Sequence, residues 1–415
     1  MLRLFEGIGV ELEYMIVDRE TLDVAPIADE ALRLAAGEPA GGPPVSDVEL
    51  GPITWSNELV LHVLEMKTTT PARSLGGLVE AFQSSIGRAG EVLRPLGARL
   101  MPGAMHLWMD PATQMHLWPH DSAEIYATFD RIFSCRGHGW CNLQSMHLNF
   151  PFDGDEEFGR LHAAIRLILP LLPGLAASSP IADGRVTGLL DTRLETYRHN
   201  SKRVPSVAGR VIPERAFTRA AYEREILGRI YTDLAPLDAG GILRDEWANA
   251  RGCIARFGRG SIEIRVLDVQ ECPKADLAIA AAVEGVLRDL VSERWSSTSA
   301  QQAVEVAPLA DLFEHAIREG EETPVNDRGY LDCFGLGAAV GAPIREVWSA
   351  LVDRSVSSRE ELAWAVGGLR TILEEGSLAR RMLATLGTPT PSREAMRALA
   401  LRLCECLEQG TMLAR

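Results

Sequence analysis

The chain has 415 residues, 46% hydrophobic and 24% charged, with a formal net charge of -15. This is the makeup of a folded globular protein with length for two or three domains, and the negative balance argues against nucleic acid or an anionic membrane as partner. Seven cysteines without regular spacing make no disulfide framework, no window approaches the ~18 apolar residues of a membrane span, and the N-terminus does not read as a signal peptide, so the chain reads as cytoplasmic.

Residues 7–18, GIGVELEYMIVD, predict a strand. Side chains two apart on a strand share a face. Glu11 and Glu13 therefore project together, while Val10, Leu12 and Tyr14 face the other way. Two like charges on an apolar strand repel, and a cation between them makes the pair tolerable. Residues 37–52, rich in Gly and Pro, predict a surface loop. Leu59 to Met66 predicts a second strand, ended by a threonine run and Pro71. Glu58 and Glu65 are an odd number of residues apart, so either Glu58 precedes that strand or a bulge intervenes. Ser74 then predicts the cap of an amphipathic helix running to about Leu96.

Residues 98–121 read as a strand and then a long irregular segment rich in Met, Trp, His and Pro. Asp121 to Phe133 predicts a helix. Leu143 to Phe150 predicts a strand with His147 and Asn149 on one face and Met146, Leu148 and Phe150 on the other. Asp155 to Leu172 predicts a helix ended by Pro173-Gly174. Residues 176–203 are polar and turn-rich. Their basic run, Arg198 to Arg203 with Lys202 inside it, suits a nucleotide or carboxylate contact and a solvated helix end equally well. Ser261 to Leu267 predicts a strand with Glu263 and Arg265 on one face and Ile262, Ile264 and Val266 on the core face. Arg256 and Arg259 lie just before it, where exposure is the commoner fate and phosphate contact the alternative. From Lys274 onward the spacing is helical. A few strands far apart in sequence, with segregated helices, define an α+β fold.

Other motifs carry less. His116, His120, Cys135, His138 and Cys141 are zinc-ligand types at the spacing of no standard finger or ribbon. GLGAAVG at residues 335–341 is not a dinucleotide loop. The acid-rich strand faces, joined by His, Asn and Arg, suit Mg²⁺ and polyphosphate.

In these motifs the chain resembles the glutamate–cysteine ligase family, carboxylate–amine ligases related in fold to glutamine synthetase. The resemblance rests on G-x-E-x-E-Y at Gly9 to Tyr14, on Glu58 and Glu65 in NELVLHVLEMKTTTP, on His147 in SMHLNF, on the stretch from Ala177 to Arg193, and on SIEIRVLDVQ at Ser261 to Gln270. It implies one ligase domain over residues 1–415, with a sheet-bearing core in 1–270 and a mainly helical part in 275–415. It implies an antiparallel, saddle-shaped sheet with helices behind it and the active site on its open face. It implies ATP as co-substrate, and Mg²⁺, with Mn²⁺ as the alternative, held by Glu11, Glu13, Glu58, Glu65, His147 and Glu263. Arg265, Glu65 and Glu263 would be catalytic, Arg193 and Tyr197 would bind the amino acid, and Arg265, Arg259 and Lys202 would bind the nucleotide. The reaction implied is activation of the γ-carboxylate of L-glutamate and transfer to an amine, cysteine by default. Segments 98–120 and 176–205 are the candidates for a cover that keeps water out. The alternatives are a ligase of the same fold with another acid or amine, and a homologue that binds metal and nucleotide without catalysis. The partners expected are small molecules, and a homo-oligomer is compatible with the sequence.

Overall fold

The computed structural model describes residues 2–39 and 41–414. Ala40, inside the predicted 37–52 loop, and Met1 and Arg415, at the ends of the predicted 1–415 domain, lie outside the described residues.

The first strand, β1 (Gly9–Asp18), is central to an eight-stranded sheet. β2 (Asp47–Glu49), β3 (Ile53–Asn57) and β4 (Val63–Thr68) follow on one side, and β5 (Ala98–Met101) pairs with its C-terminal half. β6 (Ser145–Pro151) lies on its other side. A hairpin of β7 (Ile181–Ala182) and β8 (Arg185–Val186) stands apart, and β9 (Cys253–Arg256) and β10 (Ser261–Asp268) complete the sheet. The order is β2-β3-β4-β1-β6-β10-β9, antiparallel throughout and not closed.

Period-two alternation sets the two faces. Val10, Leu12 and Tyr14 of β1, Met146, Leu148 and Phe150 of β6, and Ile262, Ile264 and Val266 of β10 are all buried in one core. Helices Leu78–Leu93, Gly154–Ile168 and Pro273–Val291 contribute to that core. The last of these opens with proline at its first turn, where no amide hydrogen is needed. It is apolar almost all round and buried everywhere except at Lys274 and Arg288, as a helix enclosed by other helices must be.

Several predicted boundaries are corrected. The 37–52 segment is not all loop, because Asp47–Glu49 pairs along the edge of β3. The strand predicted from Leu59 starts at Val63. Ser74 does not cap the next helix, which begins at Leu78. Pro173 opens a further helical turn, Pro173–Ala176, rather than ending the structure there. Residues 176–203 contain the helix Thr192–Asn200, capped by the Asp191 side chain, which accepts from the Leu194 amide. Among the described residues no helix is long and apolar enough to cross a membrane.

Candidate active site

The open face of the sheet carries the acids. The register places Glu11 opposite both Lys67 and His147, and Glu13 opposite Glu65. Glu58 sits in the connection between β3 and β4, so it precedes the strand and reaches the same face. Two groups of ligand atoms result, each with its atoms within 4.8 Å of one another: Glu11, Glu65 and His147, and Glu13, Glu58 and Glu65. Glu263 stands outside both groups. Its carboxylate lies between Arg256 Nη1 at 3.2 Å and Arg265 Nε at 2.9 Å.

Neighbouring side chains fix these groups. Glu13 Oε2 accepts from the Ser145 amide at 2.7 Å and its hydroxyl at 3.0 Å. Ser145 Oγ meets His147 Nε2 at 2.9 Å, and His147 Nδ1 meets Glu11 Oε2 at 2.9 Å. Asn149 donates to Glu11 Oε1 at 3.0 Å, and Ser56 donates to Glu65 Oε1 at 2.6 Å. Lys67 Nζ is 3.1 Å from Glu65.

Burial and crowding spread the proton affinities of these groups. Burial works to raise Glu11, but the His147 hydrogen bond and charge hold it at about 2. Burial works to lower His147, yet its bond to Glu11 and the charges of Glu13 and Glu11 lift it to about 9. Burial and the Glu11 charge push Glu65 up to about 7. Glu58 is pushed well above the carboxylate range by burial and by Glu13 and Glu65. An oxygen-rich donor set of repelling carboxylates with one imidazole fits a hard divalent cation of the Mg²⁺ type, whose charge would remove the repulsion.

The acids form the floor of a cleft of about 600 Å³. Lys67, Arg193, Tyr197, Arg256, Arg259 and Arg265 also line it. Lys202 is exposed and stands outside that lining. Segment 98–120 contributes nothing to the lining either. Its Met101, Leu107 and Trp108 pack instead with Leu399 and Leu403 of the C-terminal helix.

Arg193 is 1% exposed, and its Nε donates to Asp268, which also accepts from the Ser178 amide at 2.8 Å and Ser179 Oγ at 2.9 Å. Sequence parity puts Asp268 on the core face with Ile264. A one-residue bulge in β10, between Ile264 and Leu267, brings it opposite Ser145 instead. Asp268 is therefore a site residue that alternation alone misplaced, Ser56 lies on a strand the sequence did not reveal, and Ser145 shares the face that alternation gives His147. The Tyr197 hydroxyl is buried without a hydrogen-bond partner among the described residues and lies on the cleft.

The fold is that of the glutamine synthetase-like ligases, and the family whose profile matches the chain makes it an ATP-dependent carbon–nitrogen ligase. The sequence profile of glutamate–cysteine ligase family 2 matches residues 7–402, and the chain belongs to that family. An uncharacterized protein of Archaeoglobus fulgidus is 34% identical over 405 residues, covering 97% of this chain and 99% of that protein. A Nocardioides protein named "Putative glutamate--cysteine ligase 2-1" is 26% identical over 290 residues, 70% of this chain and 69% of its own. The solved glutamate–cysteine ligase of Francisella tularensis, in complex with AMP, shares the fold at a TM-score of 0.62 and 14% identity, over 97% of this chain and 88% of that one.

Proposed function

We propose that the cleft activates the γ-carboxylate of L-glutamate with ATP and joins it to an amine, giving a γ-glutamyl amide. The observation that carries this reading is the floor itself: four glutamates and one imidazole on neighbouring strands, with Glu58 from the connection before β4, lining one cleft together with Arg265 and Arg193. Glu11, Glu13, Glu58, Glu65 and His147 would hold Mg²⁺, or Mn²⁺ in its place, with Glu263 reaching the same ions from β10. Such ions neutralise charge between two anionic reactants.

The chain's own residues do the rest. Arg265 and Arg259 line the cleft where the triphosphate would lie, and Arg265 stabilises charge on the phosphoryl group in transit. Glu263, gripping Arg256 and Arg265, fixes the direction of both guanidinium groups. Arg193, aimed by Asp268, takes the α-carboxylate of glutamate, and the free Tyr197 hydroxyl hydrogen-bonds the same substrate. The same reading treats residues 1–415 as one ligase domain with residues 1–270 as its catalytic core. The names of the relatives make cysteine the first acceptor to test, and another acid or amine is the alternative.

Phosphate release from ATP with Mg²⁺ is expected to require L-glutamate and to rise with one amine of a panel. Binding of ATP with Mg²⁺ but no dependence on glutamate would transfer the reading to another acid.

A further inference from the structure

Besides the acidic floor, the cleft has a wall of a different character. Tyr126 and Phe129 come from helix Ala123–Phe133, Trp140 from the short helix His138–Cys141, and Trp247 from the turn Glu246–Ala248. The Phe129 ring centroid lies 5.3 Å from that of Trp140 and 5.8 Å from that of Trp247. Trp140 stacks on Phe133 and donates through Nε1 to the Asn200 carbonyl at 3.1 Å, so the wall is held in place.

Charge is absent from this wall. The cations lining the cleft are Lys67, His147, Arg193, Arg256, Arg259 and Arg265, all from the sheet strands, the turn after β9 or helix Thr192–Asn200. All but Arg259 already pair with carboxylates. Among the described residues the aromatic wall supplies no lysine, arginine or histidine. It also starts beside the reacting centre: Leu59 and Val60 follow directly on Glu58, and the Tyr126 hydroxyl accepts from Asn57 Nδ2 at 3.1 Å. A nucleotide base is kept from its γ-phosphoryl group by a ribose and two phosphates, whereas an attacking amine must lie against the acyl carbon.

We infer that the acceptor is an amine with an aromatic or bulky apolar body and no carboxylate of its own, seated on the Tyr126–Phe129–Trp140–Trp247 wall. The inference rests on the ligase reading above. An α-carboxylate there would lie against ring carbons with no cation from the wall itself to pair it, while an apolar body gains from burial. In the transfer, the amine lone pair attacks the γ-acyl carbon of glutamyl phosphate. A C–N bond forms, the C–O bond to phosphate breaks, inorganic phosphate leaves with the bonding pair, and the amine gives up one proton.

The test compares matched pairs on the wild-type enzyme with ATP, Mg²⁺ and L-glutamate: phenylalanine with phenethylamine, tryptophan with tryptamine, and cysteine with cysteamine. Hydroxylamine, small enough to need no wall, reports activation separately as γ-glutamyl hydroxamate. The aromatic amines are expected to exceed both their parent amino acids and cysteine by about tenfold or more in kcat/KM. Trp247→Ala should raise KM for the favoured amine and leave KM for ATP in place. Hydroxamate formation with cysteine or another amino acid as the best acceptor overturns the inference and leaves the ligase standing. So does hydroxamate with none of these amines turned over. A rise in the ATP KM of Trp247→Ala assigns the wall to the base and overturns it too. No hydroxamate at all removes the ligase reading, and this inference with it.

Discussion

Glu11, His147, Ser145 and Glu13 form one continuous buried chain of hydrogen bonds, and its protons are linked to stability. His147, at about 9, lies above its ordinary 6.5, so its pairing stabilises the fold fully below pH 6.5 and is lost as pH rises through about 9. Glu11, at about 2, stabilises above 4.5 and loses this as pH falls through about 2. Glu65 acts in the opposite sense to Glu11. Raised to about 7, it keeps a proton that the unfolded chain releases near 4.5, so stability falls with pH between those values. Thermal melts of the metal-free protein should therefore decline steadily from pH 4.5 to about 9. Glu65→Gln should make the part below about 7 shallower, with the raised Glu58 keeping the rest of it. Saturating Mg²⁺ should reduce the whole decline, since it binds the deprotonated acids of the folded state. Melts that ignore both Mg²⁺ and the substitution would refute the cation site. Asp268→Asn tests the aim of Arg193. It strands a buried guanidinium, which costs about 3–5 kcal/mol, and should raise KM for glutamate much more than KM for ATP in steady-state assays. Arg193→Lys should not substitute, because a single ammonium lacks the planar fork that binds Asp268 and a carboxylate together.

At the scale of elements, two glycines in helices should respond oppositely to alanine. In Pro273–Val291, a Cβ on Gly285 would lie 2.7 Å from the Ser355 carbonyl oxygen. Backbone cannot yield there cheaply, so Gly285→Ala should destabilise by about 1–3 kcal/mol despite alanine's better helix propensity. In Leu78–Leu93, Gly87 faces open space, and Gly87→Ala should stabilise by about 0.5–1 kcal/mol. Denaturant melts of the two variants give both signs. The elements were unequally legible. β1, β6 and β10 read clearly because Val10–Tyr14, Met146–Phe150 and Ile262–Val266 alternate strictly and their core residues are β-branched, aromatic or otherwise large. The Thr192–Asn200 helix did not, since TRLETYRHN has no apolar stripe and is held by its Asp191 cap and by packing. β9 was missed because CIAR is four residues long, too short to show a period.

For the whole molecule, the end of the described chain is tied to the eight-stranded sheet. Glu271, three residues after β10, pairs with Arg381, and both are fully buried. Leu413 completes the junction: its amide donates to Glu271 at 3.0 Å and its carbonyl accepts from Arg381 at 2.8 Å. A chain ending at Gly410 leaves both groups short of partners, at about 1–3 kcal/mol for each unmet bond. Its melting temperature should fall clearly below that of the full chain, and an unchanged value would show the junction to be dispensable. The sequence by itself determined which residues share each strand face, because a period of two is a local property of the backbone. That was enough to pick out Glu11, Glu13, His147, Glu263 and Arg265 and the family they resemble. Tertiary structure alone decided which separated faces meet. It set Glu58 beside Glu13 and Glu65, turned Asp268 to Arg193 through a bulge, left Lys202 outside the cleft lining, and raised an aromatic wall from segments with no common pattern. Those contacts depend on register and crossing between distant segments, which no local spacing encodes.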